Sequence, residues 1–193
     1  RWDRASFQGV ELRGRTLGLI GAGRIGTEVA RRARAFGMDV IAHDPYLSAE
    51  RAAEIGVEMV GLDELLALSD VISLHVPLND ETRALLDDDL LGRVKKGAFI
   101  LNVSRGGVID EAALTKALVE EHLAGAALDV FEKEPLDPES PLRTAPNLVL
   151  TPHIGASTEE AQVAVAREVA IAVRLALTDG VYQGAVNAHL LIK

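Results

Sequence analysis

Cysteine is absent from the 193 residues, which removes disulfides, zinc–thiolate centres and thiol nucleophiles together. Aromatic residues supply only 4% of the chain, so Ala, Val, Leu and Ile must build the core. Basic residues are outnumbered: 20 Lys and Arg against 29 Asp and Glu give a formal net charge of −9. Without a basic run, such a chain offers no clustered cations to a phosphate backbone or an anionic bilayer. Neither nucleic acid nor a membrane is an expected partner, and Arg31, Arg32 and Arg34 read as the solvated face of a helix. Long apolar runs are missing too. The stretch AVAREVAIAVRLAL is interrupted by Arg167, Glu168 and Arg174 and reads as an amphipathic helix. The opening RWDRASFQGVELRGRTLG is polar, unlike a secretory leader. A cytoplasmic location is expected, and no metal site.

Hydrophobic residues form 48% of the chain, arranged as short apolar runs between helical patterns. TLGLIG, DVIAHD, VEMV, DVISLHV, GAFILNV, AGAALDV and NLVLTPH read as strands. Helices are expected over Ile25–Phe36, Ser48–Ile55, Leu62–Leu68, Asp87–Leu91 and Glu111–Glu120, and a last one capped by Ser157, with Glu160 completing S-x-x-E and Gly180 closing it. Such alternation predicts an α/β fold, a doubly wound, mostly parallel sheet with helices on both faces. One compact domain over residues 1–193 is the simplest expectation.

The first strand runs into GAGRIG, where Gly21, Gly23 and Gly26 form G-x-G-x-x-G with a strand before and a helix after. Gly21 would permit the turn, Gly23 the approach of a pyrophosphate, and Gly26 close packing of the helix. The amides opening the helix, at Arg24 and Ile25, would face the phosphates. Asp44 follows Gly26 by eighteen residues, at the end of the next strand and before Pro45. A carboxylate there accepts hydrogen bonds from the ribose hydroxyls and repels a 2′-phosphate, which favours NAD over NADP. Alone, Asp44 would equally suit a strand-end turn. A methyltransferase also uses a glycine-rich loop and a strand-end acid, but the six-residue spacing argues against it.

Three polar groups follow apolar strands in the second half: Arg105 in ILNVSRGG, Glu134 in ALDVFEKEP and His153 in LVLTPHIG. Loops after parallel strands converge at the carboxyl-end crevice. An Arg clamps a carboxylate, a His exchanges a proton near neutrality, and a neighbouring Glu orients the imidazole. Taken singly, Arg105 suits a surface turn, Glu132 competes with Glu134, and His75 suits a packed strand end. His43, His122 and His189 read as structural.

At these residues the chain resembles the NAD-dependent D-2-hydroxyacid dehydrogenases, and within them the phosphoglycerate dehydrogenase branch. The matching stretches are FQGVELRGRTLGLIGAGRIG, AHDPY, HVPLNDET, NVSRGGVIDEAAL, GAALDVFEKEP, TPHIGASTEEAQ and AVNAHLL. The resemblance implies that Arg105 binds the substrate carboxylate and keto oxygen, and that His153 is the acid–base paired with Glu134. It places Asp129 near the nicotinamide carboxamide, with Val103, Ser104, Gly155, the loop His75–Val76–Pro77, and Thr82 along the cofactor. Members often carry Cys-Ala or Ala-Ala where Val103 and Ser104 stand. The resemblance further implies a homodimer, a small 2-hydroxy or 2-keto acid substrate, and a separate substrate domain absent from this chain. The chain alone is then expected to bind NAD with little turnover. The alternatives are an NAD-sensing corepressor-like module and a glyoxylate or hydroxypyruvate reductase.

Overall fold

The structure is a computed structural model that describes residues 2–3, 8–182, 184–185 and 187. The AVNAHLL stretch and His189 fall largely outside the described residues. Backbone contacts divide the chain into two compact units, residues 1–153 and 154–193, where the sequence reads as one.

The first unit is a seven-stranded, wholly parallel sheet. Its strands are β1 (Thr16–Ile20), β2 (Asp39–His43), β3 (Glu58–Met59), β4 (Val71–Leu74), β5 (Phe99–Asn102), β6 (Gly125–Leu128) and β7 (Leu148–Leu150). They lie in the order β3-β2-β1-β4-β5-β6-β7. The helices between them are α1 (Arg24–Ala35), α2 (Ala49–Ile55), α3 (Leu62–Leu68), α4 (Asp88–Arg93) and α5 (Glu111–Val119). All seven strands and five helices fall within a few residues of their expected positions. The reason is local: each apolar run is too short for a helix and is bounded by turn residues.

Strand alternation divides the core into two layers. Leu17, Leu19, Val40 and Ala42 pack with Ala30 and Ala33 of α1. Ile20, Ile72, Leu74 and Ile100 pack with Leu65 and Leu66 of α3 and Leu114 of α5. Burial on both faces is what a parallel sheet needs. Gly18 belongs to this logic, because a β-carbon there would run into the Leu65 side chain and Ser69 Oγ. The chain order reverses between β1 and β4, so a crevice opens at their carboxyl ends, where α/β folds bind ligands.

The second unit contains α6 (Glu159–Asp179), which buries none of its residues. Its N-cap is Thr158, whose hydroxyl accepts the Ala161 N–H at 3.1 Å, and not Ser157 as the S-x-x-E spacing suggested. Both hydroxyls are chemically equivalent caps, and the Ser157 backbone N–H is already committed to the Ile154 carbonyl in the preceding turn. Gly180 ends the helix in the left-handed conformation, φ +65°, as expected. Among the described residues no helix is long and apolar enough to cross a membrane.

Candidate active site

The glycine turn sits at the carboxyl end of β1. Gly21 adopts φ +90° and its absent β-carbon would lie 2.7 Å from the His75 carbonyl oxygen, so only glycine fits. A β-carbon on Gly26 would overlap the Gly21 carbonyl oxygen. The constraint at Gly26 is therefore the turn itself, more than the sheet beneath. Gly23, with φ −67°, meets nothing within 4 Å; its open face is where a bound group would approach.

Helix α1 starts without a side-chain cap and without an acid in its first turn, whereas α2, α4 and α5 are capped by Ser48, Asp87 and Asp110, and α3 carries Asp63 and Glu64. Uncapped first-turn amides at the positive end of a helix dipole favour an anion. Arg24 and Ile25 are exposed at this end. A dinucleotide pyrophosphate fits this cradle.

Asp44 is held at the end of β2. Its Oδ2 accepts the Ala22 N–H and its Oδ1 the Tyr46 N–H, each at 2.9 Å. The turn role and the ribose role coexist, since each carboxylate oxygen keeps a second lone pair. Pro45 beside it is exposed. Tyr46, which sequence reasoning left unassigned, reaches across to Glu81 with an O–H···O bond of 3.0 Å. No spacing rule signals a pair thirty-five residues apart.

The loop after β4 forms the opposite wall. Val76 packs partly against the core, while Pro77 is exposed. Thr82 closes the loop by donating to the Pro77 carbonyl at 2.6 Å. His75 is hydrogen-bonded to Ser73 Oγ through Nε2 at 2.9 Å. Burial lowers its imidazole from 6.5 to about 4, so it is neutral under ordinary conditions. The unfolded chain takes up this proton near 6.5 and the folded chain only near 4. Stability is thus fully present above 6.5 and lost as pH falls toward 4, by about 3 kcal/mol. Urea unfolding across this range is expected to show the loss, and His75→Gln to remove that share of it. Parallel curves for both proteins would assign the acid sensitivity elsewhere.

The remaining groups stand on the loops after β5, β6 and β7, three adjacent strands. Glu134 Oε2 lies 2.8 Å from His153 Nδ1. Glu134 Oε1 accepts the Phe131 N–H at 3.0 Å. The Glu134 carboxyl is held below its ordinary range, first by the His153 hydrogen bond and then by the Phe131 amide. A carboxylate at Nδ1 requires the proton there, leaving Nε2 as the exchangeable nitrogen. His153 sits at φ +54°, a left-handed conformation uncommon for a side-chain-bearing residue. Both groups line an open pocket of about 510 Å³ with Phe131, Leu136, Arg143 and Leu150.

Arg105 lies one strand away, exposed, with its guanidinium donating to the Ser104 carbonyl at 2.6 Å. Glu134 and His153 are thus in direct contact, and Arg105 is carried by the loop after the neighbouring strand β5. Its loop is built by buried Asn102, whose Nδ2 donates to the Arg105 carbonyl at 2.9 Å. Asn102 Oδ1 accepts both the N–H and the O–H of Ser104. Ser104 therefore points inward while Val103 stands exposed. Asn102 was not foreseen; its only signal was an amide at a strand end before S-R-G-G. Buried Asp129 accepts the Thr151 hydroxyl at 2.6 Å. Gly155 belongs to the second unit. His43 and His122 are bonded to the carbonyls of Val60 and Val94, as structural histidines are.

A wholly parallel sheet, a glycine turn on an uncapped helix and a strand-end acid define a dinucleotide-binding α/β domain. Residues 1–155 match the model of the D-isomer specific 2-hydroxyacid dehydrogenase, NAD binding domain, and the chain belongs to that family. It is 52% identical over 165 residues to D-3-phosphoglycerate dehydrogenase of Archaeoglobus fulgidus, covering 86% of this chain and 31% of the relative. It is 48% identical over 191 residues to D-3-phosphoglycerate dehydrogenase 2, chloroplastic, of Arabidopsis thaliana, covering 99% of this chain and 31% of that one. A solved glyoxylate reductase from Paecilomyes thermophila superposes with a TM-score of 0.84 at 44% identity, over 89% of this chain and 52% of that one. The chain thus spans about a third of the length of these curated relatives.

Proposed function

We propose that this chain is the cofactor-binding part of an NAD-dependent D-3-phosphoglycerate dehydrogenase, the enzyme class that opens serine biosynthesis. The 2.8 Å bond between Glu134 and His153, at the carboxyl ends of the strands of the sheet that also carries the glycine turn, is the observation that supports this reading most. The glycine turn and Asp44 would hold NAD, which would supply a hydride acceptor for the carbon that bears the substrate hydroxyl. His153 Nε2 takes the hydroxyl proton as that carbon becomes a carbonyl, and returns it in the reverse direction. Glu134 holds the ring in the required tautomer and stabilises the imidazolium that forms. Arg105 releases the Ser104 carbonyl to bind the substrate carboxylate. Gly21, Gly23, Gly26 and the opening of α1 hold the pyrophosphate, and Asp44 the adenosine ribose. The walls formed by Pro45, His75–Pro77, Thr82 and Val103 enclose the dinucleotide, with Asp129 toward the nicotinamide.

His153 and Glu134 are 52% and 37% exposed, so water reaches the acid–base pair freely. Hydride transfer needs a positioned substrate and a shielded site. By itself the chain binds NAD(H) and turns over little. The whole enzyme works as a homodimer in the cytoplasm. Calorimetry with NADH tests the binding: a saturable isotherm is expected, and no heat at millimolar cofactor overturns the reading. The likeness to a glyoxylate reductase favours a second reading with the same chemistry and a smaller substrate. Fusion to the remaining part of a phosphoglycerate dehydrogenase distinguishes the low-turnover claim from a dead site, since activity returns only in the fusion. A separate assay of a natural full-length chain on 3-phosphoglycerate and on glyoxylate separates the two substrates.

A further inference from the structure

Glu111 is used by none of the roles above, yet it reaches the loop that carries the acid–base pair. It is the first residue of α5, and its Oε1 accepts the Glu132 N–H at 2.7 Å. That amide is two residues from Glu134, whose own carboxylate closes back on the Phe131 N–H at 3.0 Å. The short segment 131–134 is therefore held at one end by Glu111 and folded on itself at the other, which fixes where Glu134 Oε2 meets His153.

The ground on which Glu111 stands is rigid. The Asp110 side chain caps α5 through the N–H groups of Ala112 and Ala113, both at 2.9 Å. The backbone just before it is tied to the neighbouring loop: Ala84 N–H to the Gly107 carbonyl at 2.8 Å, Leu86 N–H to Val108 at 3.2 Å, and Asp110 N–H to Leu86 at 3.0 Å. Behind it Leu114 and Leu118 are buried in the core. The loop 131–134 also lies against Gly106, where a β-carbon would overlap the Phe131 carbonyl. Glu111 and Gly106 thus locate one loop from two sides, and Gly106 directly follows Arg105.

The electrostatics make the placement costly. Glu111 is partly buried, with the charges of Glu132 and Asp110 nearby, and burial leads these in raising its carboxyl above the ordinary range. An acid kept there against desolvation and like charge needs a compensating role, and its bond to the Glu132 amide is the one the geometry provides.

We propose that Glu111 is a positioning residue for the acid–base pair: its carboxylate anchors the Glu132 backbone and so holds Glu134 against His153. The proposal rests on the reading of that pair as catalytic, but its test does not require turnover. The depressed titration of the Glu134 carboxyl is caused first by His153, so it reports the contact directly and is read from side-chain carbon-13 shifts. His153→Ala serves as the reference, with the contact removed. Glu111→Gln keeps an acceptor oxygen at the same reach and leaves the Glu134 titration as in the wild type. Glu111→Asp keeps the charge at the start of α5 but falls one methylene short, and moves the Glu134 midpoint up toward the His153→Ala reference. Glu111→Ala does the same where it folds, and Glu111→Asp carries the test where it does not. A folded Glu111→Asp chain with a wild-type Glu134 titration overturns the proposal, as does a Gln variant that shifts as far as Asp. If the pair proves not to be catalytic, these shifts are unchanged while the substrate assays fail, so the two failures are separable.

Discussion

Gly23→Ala is expected to fold like the wild type and yet bind NADH poorly, whereas Gly26→Ala loses binding and stability together. At Gly23 the backbone has φ −67°, which any L-residue adopts, and the added methyl meets nothing within 4 Å. The folding cost is then the difference between glycine and alanine as a helix N-cap, about 1 kcal/mol or less. The methyl does occupy the face through which a pyrophosphate reaches the first amides of α1. Losing one charge-assisted hydrogen bond of about 1.5–3 kcal/mol weakens binding roughly 10- to 100-fold. At Gly26 the methyl overlaps the Gly21 carbonyl oxygen, a backbone atom that moves only if the turn separates from α1. Overpacking of this kind costs about 1–3 kcal/mol, and the displaced turn no longer presents its amides. Calorimetry with NADH and urea unfolding on both variants give the comparison. Wild-type affinity in Gly23→Ala would mean that the cofactor does not approach this face.

The second large effect concerns turnover, measured in a fusion of this chain to the rest of a phosphoglycerate dehydrogenase. His153→Ala is expected to lower kcat by about 10²- to 10⁴-fold, the range for a positioned acid–base group, with NADH affinity unchanged. Glu134→Gln keeps the shape of the partner and removes its charge, so the tautomer is less firmly fixed and the loss is smaller. The pH dependence follows from the direction of the Glu134 shift. Its folded carboxyl is below the ordinary value because of His153 and the Phe131 amide. The stabilising contact is therefore complete above the ordinary carboxylate range and fades as pH falls through the lowered one. Activity is expected to survive mild acid as far as Glu134 is concerned. An unchanged kcat in His153→Ala would remove the histidine from the mechanism.

Much of this was legible in the sequence because its causes are local. The apolar runs TLGLI, VISL and FILN are too short for helices and flanked by turn residues, so they become strands wherever the chain places them. The glycines of GAGRIG declare their constraint through spacing, and Asp44 follows from its position after the second strand. The choice between Glu132 and Glu134 was different. Both lie in one charged loop, where only the family resemblance singles out Glu134; the fold brings Glu134 Oε2 to His153 while turning the Glu132 amide to Glu111.

By itself, then, the sequence determined the strand–helix alternation, the glycine turn and the residue types that carry chemistry, since these depend on neighbours within a few positions. Tertiary structure alone decided the contacts between distant positions. It joined Tyr46 to Glu81, set Asn102 beneath Arg105, chose Thr158 over Ser157 as the cap of α6, and divided the chain after His153. A hydrogen bond needs its two atoms within about 3 Å of each other. Separation along the chain carries no information about that distance until the sheet order is fixed.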